Sequence, residues 1–179
     1  MKYILIGLGN PGAEYENTRH NTGRLAVSAF EKGSDLAKKA QIIVPSTFMN
    51  LSGKAVKGVV KSKKAAENLV VFRDDLDLPL GRVKMTFNRG TGGHKGAESI
   101  KRAVGTEGFI QIKIGISPAT PKGKIKKISG DDKVQKLILS DFKPAEKLAL
   151  KKVFKKINEG LEILITDGRE AAMNFLNTQ

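Results

Sequence analysis

The chain has no cysteine, no tryptophan and only two histidines in 179 residues. Disulfides and thiolate nucleophiles are therefore excluded, and a zinc site would have to lean on carboxylates, so no structural metal is expected. No run approaches the roughly 18 continuous apolar residues of a membrane span. The opening Met1-Lys2-Tyr3-Ile4-Leu5-Ile6 meets a glycine turn instead of a signal-peptide core and cleavage site. A cytoplasmic protein with no membrane partner is the expectation. Aromatic residues make up 6 % of the chain, which disfavours base stacking as a main binding mode. Acidic residues are few as well: 18 against 32 Lys and Arg give a net charge of +14, a surface that attracts polyanions. Nucleic acid is the natural partner class, recognised through backbone and shape.

At 40 % hydrophobic, the length suits one domain spanning 1–179. Tyr3–Ile6, Ile42–Val44 and Leu69–Phe72 are short apolar runs closed by glycine, Pro45, and Asp74 with Asp75, and they read as buried strands. Leu25, Ala26, Ala29 and Phe30 share one helical face; Ala55, Val56, Val59 and Val60 share another, with Ser52 as the cap. Arg82–Phe87 and Phe109–Ile116 add two strands around a glycine-rich loop and a helix over Ala97–Val104. Strand and helix alternate, which predicts an α/β fold with a twisted, mixed but mostly parallel sheet flanked by helices. Ser117–Asp132, with two prolines and two glycines, reads as a mobile surface loop able to act as a lid. Helices follow around Val134–Leu139, Pro144–Asp167 and Arg169–Asn177.

Four polar clusters each follow a predicted strand: Gly9-Asn10-Pro11-Gly12 leading to His20, Thr47-Phe48-Met49-Asn50, Asp74-Asp75-Leu76-Asp77, and Gly92-Gly93-His94-Lys95-Gly96. Carboxyl ends of strands converge on one crevice in open α/β sheets, which places Asn10, His20, Asn50 and Asp74 in one pocket. His20 lies outside any apolar periodicity. With Asp74 on one ring nitrogen it becomes a general base, and with no cysteine and no G-x-S-x-G elbow, an activated water fits better than an acyl-enzyme. Asp77 reads first as turn chemistry and only second as a magnesium ligand. For His94, among glycines, a satisfied structural role weighs at least as much as catalysis.

The cations divide into two groups. Arg82, Lys84, Arg89, Lys95, Lys101, Arg102 and Lys113 surround the proposed crevice and are the better phosphate contacts. Lys147, Lys151, Lys152, Lys155 and Lys156 stripe the long helix, where Leu148, Leu150, Phe154, Ile157, Leu161 and Leu164 supply its apolar contacts and the lysines form a solvated face.

Gly7-Leu8-Gly9-Asn10-Pro11-Gly12, Tyr15 with Thr18-Arg19-His20-Asn21, Pro45 with Thr47-Phe48-Met49-Asn50-Leu51-Ser52-Gly53-Lys54, Asp74-Asp75-Leu76-Asp77-Leu78-Pro79 and Gly92-Gly93-His94 resemble bacterial peptidyl-tRNA hydrolases in order and wording. The likeness continues through Gly115 and Thr166-Asp167-Gly168 and so covers nearly the whole chain. It implies a monomeric α/β enzyme that hydrolyses the ester joining a peptide to the 3′-terminal ribose of tRNA, without metal or cofactor. His20 would be the base and Asp74 would orient it. Asn10 and Asn50 would hold the terminal ribose and peptide backbone, Met49 would line the pocket with Tyr15 as a further substrate contact, and Lys84 and Lys113 match positions that face the tRNA, with Arg82 a further candidate from its placement beside them. Two departures stand out. Lys95 replaces an asparagine that would hold the attacking water or developing oxyanion; an ammonium can donate but cannot accept. The stretch between Phe30 and Ile42 lacks a strand-forming segment, which predicts a shortened sheet edge.

Two other function classes compete. A non-catalytic RNA-binding protein on the same scaffold is opposed by the retention of Asn10, His20, Asn50 and Asp74. A dinucleotide-dependent oxidoreductase is suggested by Gly7, Gly9 and Gly12, but Pro11 removes a donor from the loop and no acid closes a second strand about 20 residues on. Adding NAD is expected to leave the thermal unfolding midpoint unchanged; stabilisation by NAD would restore the dinucleotide reading.

Overall fold

The computed structural model describes residues 2–120, 124–126 and 128–178. Its strands β1 (Ile4–Gly7), β2 (Gln41–Ile43), β3 (Leu69–Pro79), β4 (Val83–Phe87) and β5 (Ile110–Ser117) form one sheet in the order β2-β1-β3-β5-β4. β1 pairs in parallel with β2 and β3, and β3 with β5; β4 closes the far edge antiparallel to β5. The sheet is mixed and mostly parallel, as the alternating pattern predicts. The opposite edge is β2, only three residues long, reached from the first helix through a single 3-10 turn at Asp35–Lys39. That is the shortened edge.

Helices α1 (Thr22–Gly33), α2 (Lys54–Lys57), α3 (Lys63–Ala66), α4 (Lys95–Val104), α5 (Asp131–Ile138), α6 (Pro144–Thr166) and α7 (Arg169–Asn177) flank it. Alternate residues of the central strands feed two separate cores. Leu5, Val70, Phe72, Ile112 and Ile114 pack with Ala26, Val27 and Phe30 of α1 and with Leu150, Val153, Ile157 and Leu161 of α6. Ile4, Ile6, Leu69 and Val71 pack on the other face with Val56, Val60 and Ile100. Burial on both faces is why these strands read as continuous apolar runs.

Several boundaries differ from the sequence reading. β3 does not stop at Phe72: parallel pairing with β5 carries it through Asp74 and Asp75 to Pro79, with a register irregularity between Asp75 and Pro79. Tertiary pairing overrides the turn character of the aspartates. Ser52 does not cap a helix; its hydroxyl donates to the Met49 carbonyl at 2.8 Å, and the α-helix itself covers only Lys54–Lys57. Leu148 is 62 % exposed, because the buried stripe of α6 runs through Leu150, Val153, Ile157, Leu161 and Leu164 and position 148 falls off it. Of the Ser117–Asp132 loop, residues 121–123 and 127 lie outside the described residues; the rest includes a bridge between Ala119 and Ile125 and the start of α5.

One close approach sets the position of the loop carrying His20. α1 begins so near the sheet that a Cβ on Gly23 would overlap the Phe72 carbonyl and come within 2.8 Å of the Leu8 backbone. Only glycine permits this docking. Gly23→Ala is therefore expected to cost about 1–3 kcal/mol through forced overpacking, read as a lower midpoint in denaturant or thermal unfolding. An unchanged midpoint would show that the helix start can move freely.

Candidate active site

β1 ends at Gly7, opposite Phe72, whereas β3 and β5 continue together, so Arg73, Asp74 and Asp75 lie past the end of β1 at the carboxyl end of the sheet. There a cleft of about 950 Å³ opens, lined among others by Asn10, Tyr15, His20, Phe48, Met49, Asn50, Asp74, His94, Lys95 and Lys113. The crevice rule therefore brings the expected residues together.

Asp74, 3 % exposed, is shared by two histidines. His20 Nδ1 donates to its carboxylate oxygens at 3.0 and 3.1 Å, and His94 Nε2 donates to Oδ1 at 2.9 Å. Their tautomers follow from the remaining partners. His94 Nδ1 accepts from the backbone N–H groups of Gly96 and Ala97 at 3.2 and 3.3 Å as the N-cap of α4, so its proton resides on Nε2. A carboxylate only accepts, so His20 carries its proton on Nδ1 and keeps a lone pair on Nε2, for which no partner exists among the described residues.

Burial raises the cost of the Asp74 charge, but the fields and hydrogen bonds of His20 and His94 outweigh it and hold the carboxyl well below its ordinary range. His94 is pushed below the ordinary histidine value, chiefly by burial; the Asp74 charge opposes this, and the neighbouring His20 and Arg73 add to it. The pair is thus a fixed carboxylate and a neutral, hydrogen-bonded imidazole.

His20 sits on a 3-10 turn, Arg19–Asn21, fixed from both flanks. Arg19 is buried behind it: Nη2 pairs with Glu146 of α6 at 2.7 Å, Nε donates to Ser140 Oγ at 3.2 Å, and the guanidinium lies 4.8 Å from the Phe142 ring centre. Asn21 binds the first loop twice, accepting from Asn10 N and donating to Asn10 O, both at 2.8 Å. Asn10 Oδ1 in turn accepts from Met49 N at 2.8 Å. Asn10 therefore spends its acceptor inside the protein and offers a substrate only the Nδ2 donors. Asn50 is exposed and Met49 buried in the same turn, while Tyr15 and Phe48 meet edge to face, 6.2 Å between centres.

The glycine loop is held from below. Gln111 accepts from Arg73 Nε at 3.0 Å and donates to the Arg89 carbonyl at 2.7 Å. Gly92 and Gly93, both at positive φ, turn the chain back so that His94 meets Asp74. The structural weight given to His94 in the sequence fits its two occupied nitrogens; what the sequence did not show is its bond to Asp74 or the roles of Asn21 and Gln111. The signal available for His94 was its place immediately before a helix, where an imidazole nitrogen caps.

The basic residues do not all gather here. Lys95 and Lys113 line the cleft, but Arg82 and Lys84 line a different groove, and Lys101 pairs with Glu107 at 2.6 Å. Asp77 is exposed within β3 and not in a turn, its N–H donating to Asp75 Oδ1 at 2.8 Å. His20, Asp74 and His94 are the group among the described residues whose ligand atoms, all within 4.8 Å, could surround a metal. As placed they do not fit one: an ion at about 2.0–2.2 Å from each ligand would have to break both hydrogen bonds to Asp74.

Fold and cleft together define an α/β protein with a histidine–carboxylate centre at the end of a mostly parallel sheet. A family model described as peptidyl-tRNA hydrolase matches residues 4–179. Similar proteins include the peptidyl-tRNA hydrolase of Thermodesulfovibrio yellowstonii, 36 % identical over 193 aligned positions, covering 97 % of this chain and 98 % of that protein. The Aquifex aeolicus peptidyl-tRNA hydrolase is 37 % identical, covering 98 % and 96 % respectively. The crystal structure of the peptidyl-tRNA hydrolase from Acinetobacter baumannii superimposes with a TM-score of 0.82 at 24 % identity, covering 99 % of this chain and 95 % of that one. The chain belongs to the peptidyl-tRNA hydrolase family. An alignment of 193 positions exceeds the 179 residues here, so the relative carries residues without a counterpart in this chain. Among the described residues no helix is long and apolar enough to cross a membrane.

The depressed values of Asp74 and His94 act on stability in the same direction. Each group binds a proton more readily in the unfolded chain, so stability is fully present above the unfolded value and is lost as pH falls. For His94 the loss begins near pH 6.5; for Asp74 it begins near 3.8. In a pH series of thermal unfolding, His94→Gln should flatten the decline that begins near pH 6.5 and leave the more acidic limb. A wild-type slope retained in the variant would contradict this arrangement.

Proposed function

We propose that this chain hydrolyses the ester between a peptide, or an N-blocked aminoacyl group, and the 3′-terminal ribose of tRNA, in the cytoplasm, as a monomer of one domain and without metal or cofactor. The observation that carries the reading is the unpartnered Nε2 of His20 in the cleft, with Nδ1 bonded to the buried Asp74. Water between Nε2 and the ester carbonyl loses its proton to His20 as it attacks; Asp74 stabilises the imidazolium without taking the proton. The imidazolium then protonates the departing ribose oxygen. His94 donates to Oδ1, an oxygen His20 also reaches, and this shared bond keeps Asp74 turned toward His20.

Charge develops on the carbonyl oxygen during attack. Lys95 is exposed, begins α4 and lines the cleft. Its ammonium and the helix N-terminus both favour an oxyanion, which gives this lysine the role that an asparagine fills in relatives. The Nδ2 of Asn10 and the side chain of Asn50 donate to the terminal ribose and peptide backbone. Tyr15 and Met49 enclose the acyl chain, and Lys113 meets phosphate, with Lys84 and Arg82 beyond it. A free, charged α-amino group is poorly accommodated where the site expects an amide, so N-blocked substrates are preferred.

Purified protein is expected to release tRNA from N-acetyl-aminoacyl-tRNA without added metal, and His20→Ala to lower the rate by about 10²–10⁴-fold. An inactive wild type, or undiminished release by the variant, would overturn the reading. Lys95→Asn reports on the departure: a slower variant is expected from oxyanion stabilisation by Lys95, whereas a large gain would show that the lysine impairs the site.

A further inference from the structure

Lysines of α6 that look like a solvated stripe in the sequence do not all face open solvent. Lys152 and Lys156, one turn apart, form one wall of a groove of about 720 Å³ whose other wall is the β3–β4 turn with Arg82 and Lys84. No carboxylate lines it among the described residues, and none of its four cations takes part in an ion pair there. Lys156 gives one hydrogen bond to the Thr178 carbonyl at 2.5 Å, which leaves two of its three donors. The walls are firmly placed. Val153 anchors α6 in the core, and Asn177 of α7 pairs with the edge of β4, accepting from Met85 N at 2.8 Å and donating to Met85 O at 3.0 Å.

The groove and the cleft are separate cavities whose linings meet at one cross-strand pair. Lys84 stands directly opposite Lys113 across the antiparallel β4–β5 pair, so the two share a face of the sheet. Lys113 lines the cleft and Lys84 the groove. Lys113 in the cleft and Lys84 in the groove thus stand side by side, with Arg82, Lys152 and Lys156 beyond Lys84. Lys113 is held below its ordinary value mainly by burial; Arg73 and Lys84 add repulsion, and Asp75 and Asp77 oppose it. Within the groove, however, Arg82, Lys84, Lys152 and Lys156 have no carboxylate among the lining residues, and like charges so assembled favour an opposite charge from outside.

We propose that this groove binds the sugar-phosphate backbone of the tRNA substrate beyond its acceptor end, with Lys152 and Lys156 as the distal contacts. A polyanion of evenly spaced charges suits a line of cations better than a single anion. The proposal rests on the hydrolase reading, and it separates recognition into two parts: the cleft holds the ester, and the groove holds RNA that the chemistry never touches.

Two substrates distinguish these parts: full-length N-acetyl-aminoacyl-tRNA, and a short 3′-terminal oligonucleotide carrying the same ester. Lys152→Ala combined with Lys156→Ala should raise KM about ten-fold for the full-length substrate at low salt, leave kcat intact and leave the short substrate unaffected. The slope of log kcat/KM against log salt should become shallower by about two, roughly one per lost phosphate contact. Equal losses on both substrates, or no loss on either, would overturn the proposal. Lys152→Arg restoring full-length activity that Lys152→Ala loses supports a charge contact; failure of that rescue opposes one. Binding of uncharged tRNA to wild type and double variant, followed by fluorescence anisotropy, keeps the question separate from catalysis. If no ester is hydrolysed at all, the hydrolase reading falls, while unchanged affinity for uncharged tRNA in the double variant would sink the groove alone.

Discussion

Asp74 is a charge buried at the end of the central strand, and the site is organised around keeping it there. An unpaired carboxylate at that depth would be protonated or would unfold the strand end. Two imidazole N–H groups prevent both, one delivered by the turn before α1 and one by the cap of α4. Each charge-assisted bond of this kind is worth about 1.5–3 kcal/mol, and losing either leaves part of a buried charge unsatisfied. Elements far apart in sequence thus meet over one carboxylate, and its need for partners fixes the tautomers of both histidines.

That constraint explains the unequal roles of two similar residues. His94 is occupied at both nitrogens, donating to Asp74 and accepting from α4, and burial keeps it neutral. It has no proton to give and no lone pair to use. His20 is occupied on one side only, so its other nitrogen is available for chemistry. Arg19 and Asn21, its neighbours in the chain, hold the turn to α6 and to the first loop, so that the free nitrogen is aimed by structure on both sides.

Strands, helix faces and the convergence of His20, Asp74, Asn10 and Asn50 were legible in the sequence, because apolar runs and strand-end placement carry that information locally; Met49 entered only through the family resemblance. The end of β3 was not legible. Asp74 and Asp75 have the composition of a turn, and only pairing with β5 keeps them in a strand. A structural role for His94 was legible from its glycine-rich turn, but its hydrogen bond to Asp74 was not, because that contact requires the fold. The position of Arg82 and Lys84 was misread for a related reason: a residue paired with Lys113 in the sheet need not open into the same cavity, and both line a separate groove beside Lys152 and Lys156 of α6.

Asn10 shows why a residue type alone underdetermines its task. An amide has an acceptor and two donors, and here the acceptor is committed to Met49 N while the backbone on either side is tied to Asn21. Substituting aspartate would preserve the acceptor toward Met49 but remove the donors that face the cleft, and would add a second negative charge near Asp74. The amide therefore does two things that no carboxylate could: it joins the first loop to the Met49–Leu51 turn, and it offers donors to a ligand rich in oxygen. Binding and stability share this side chain, and the loop that shapes the pocket is the loop that holds it shut against Met49.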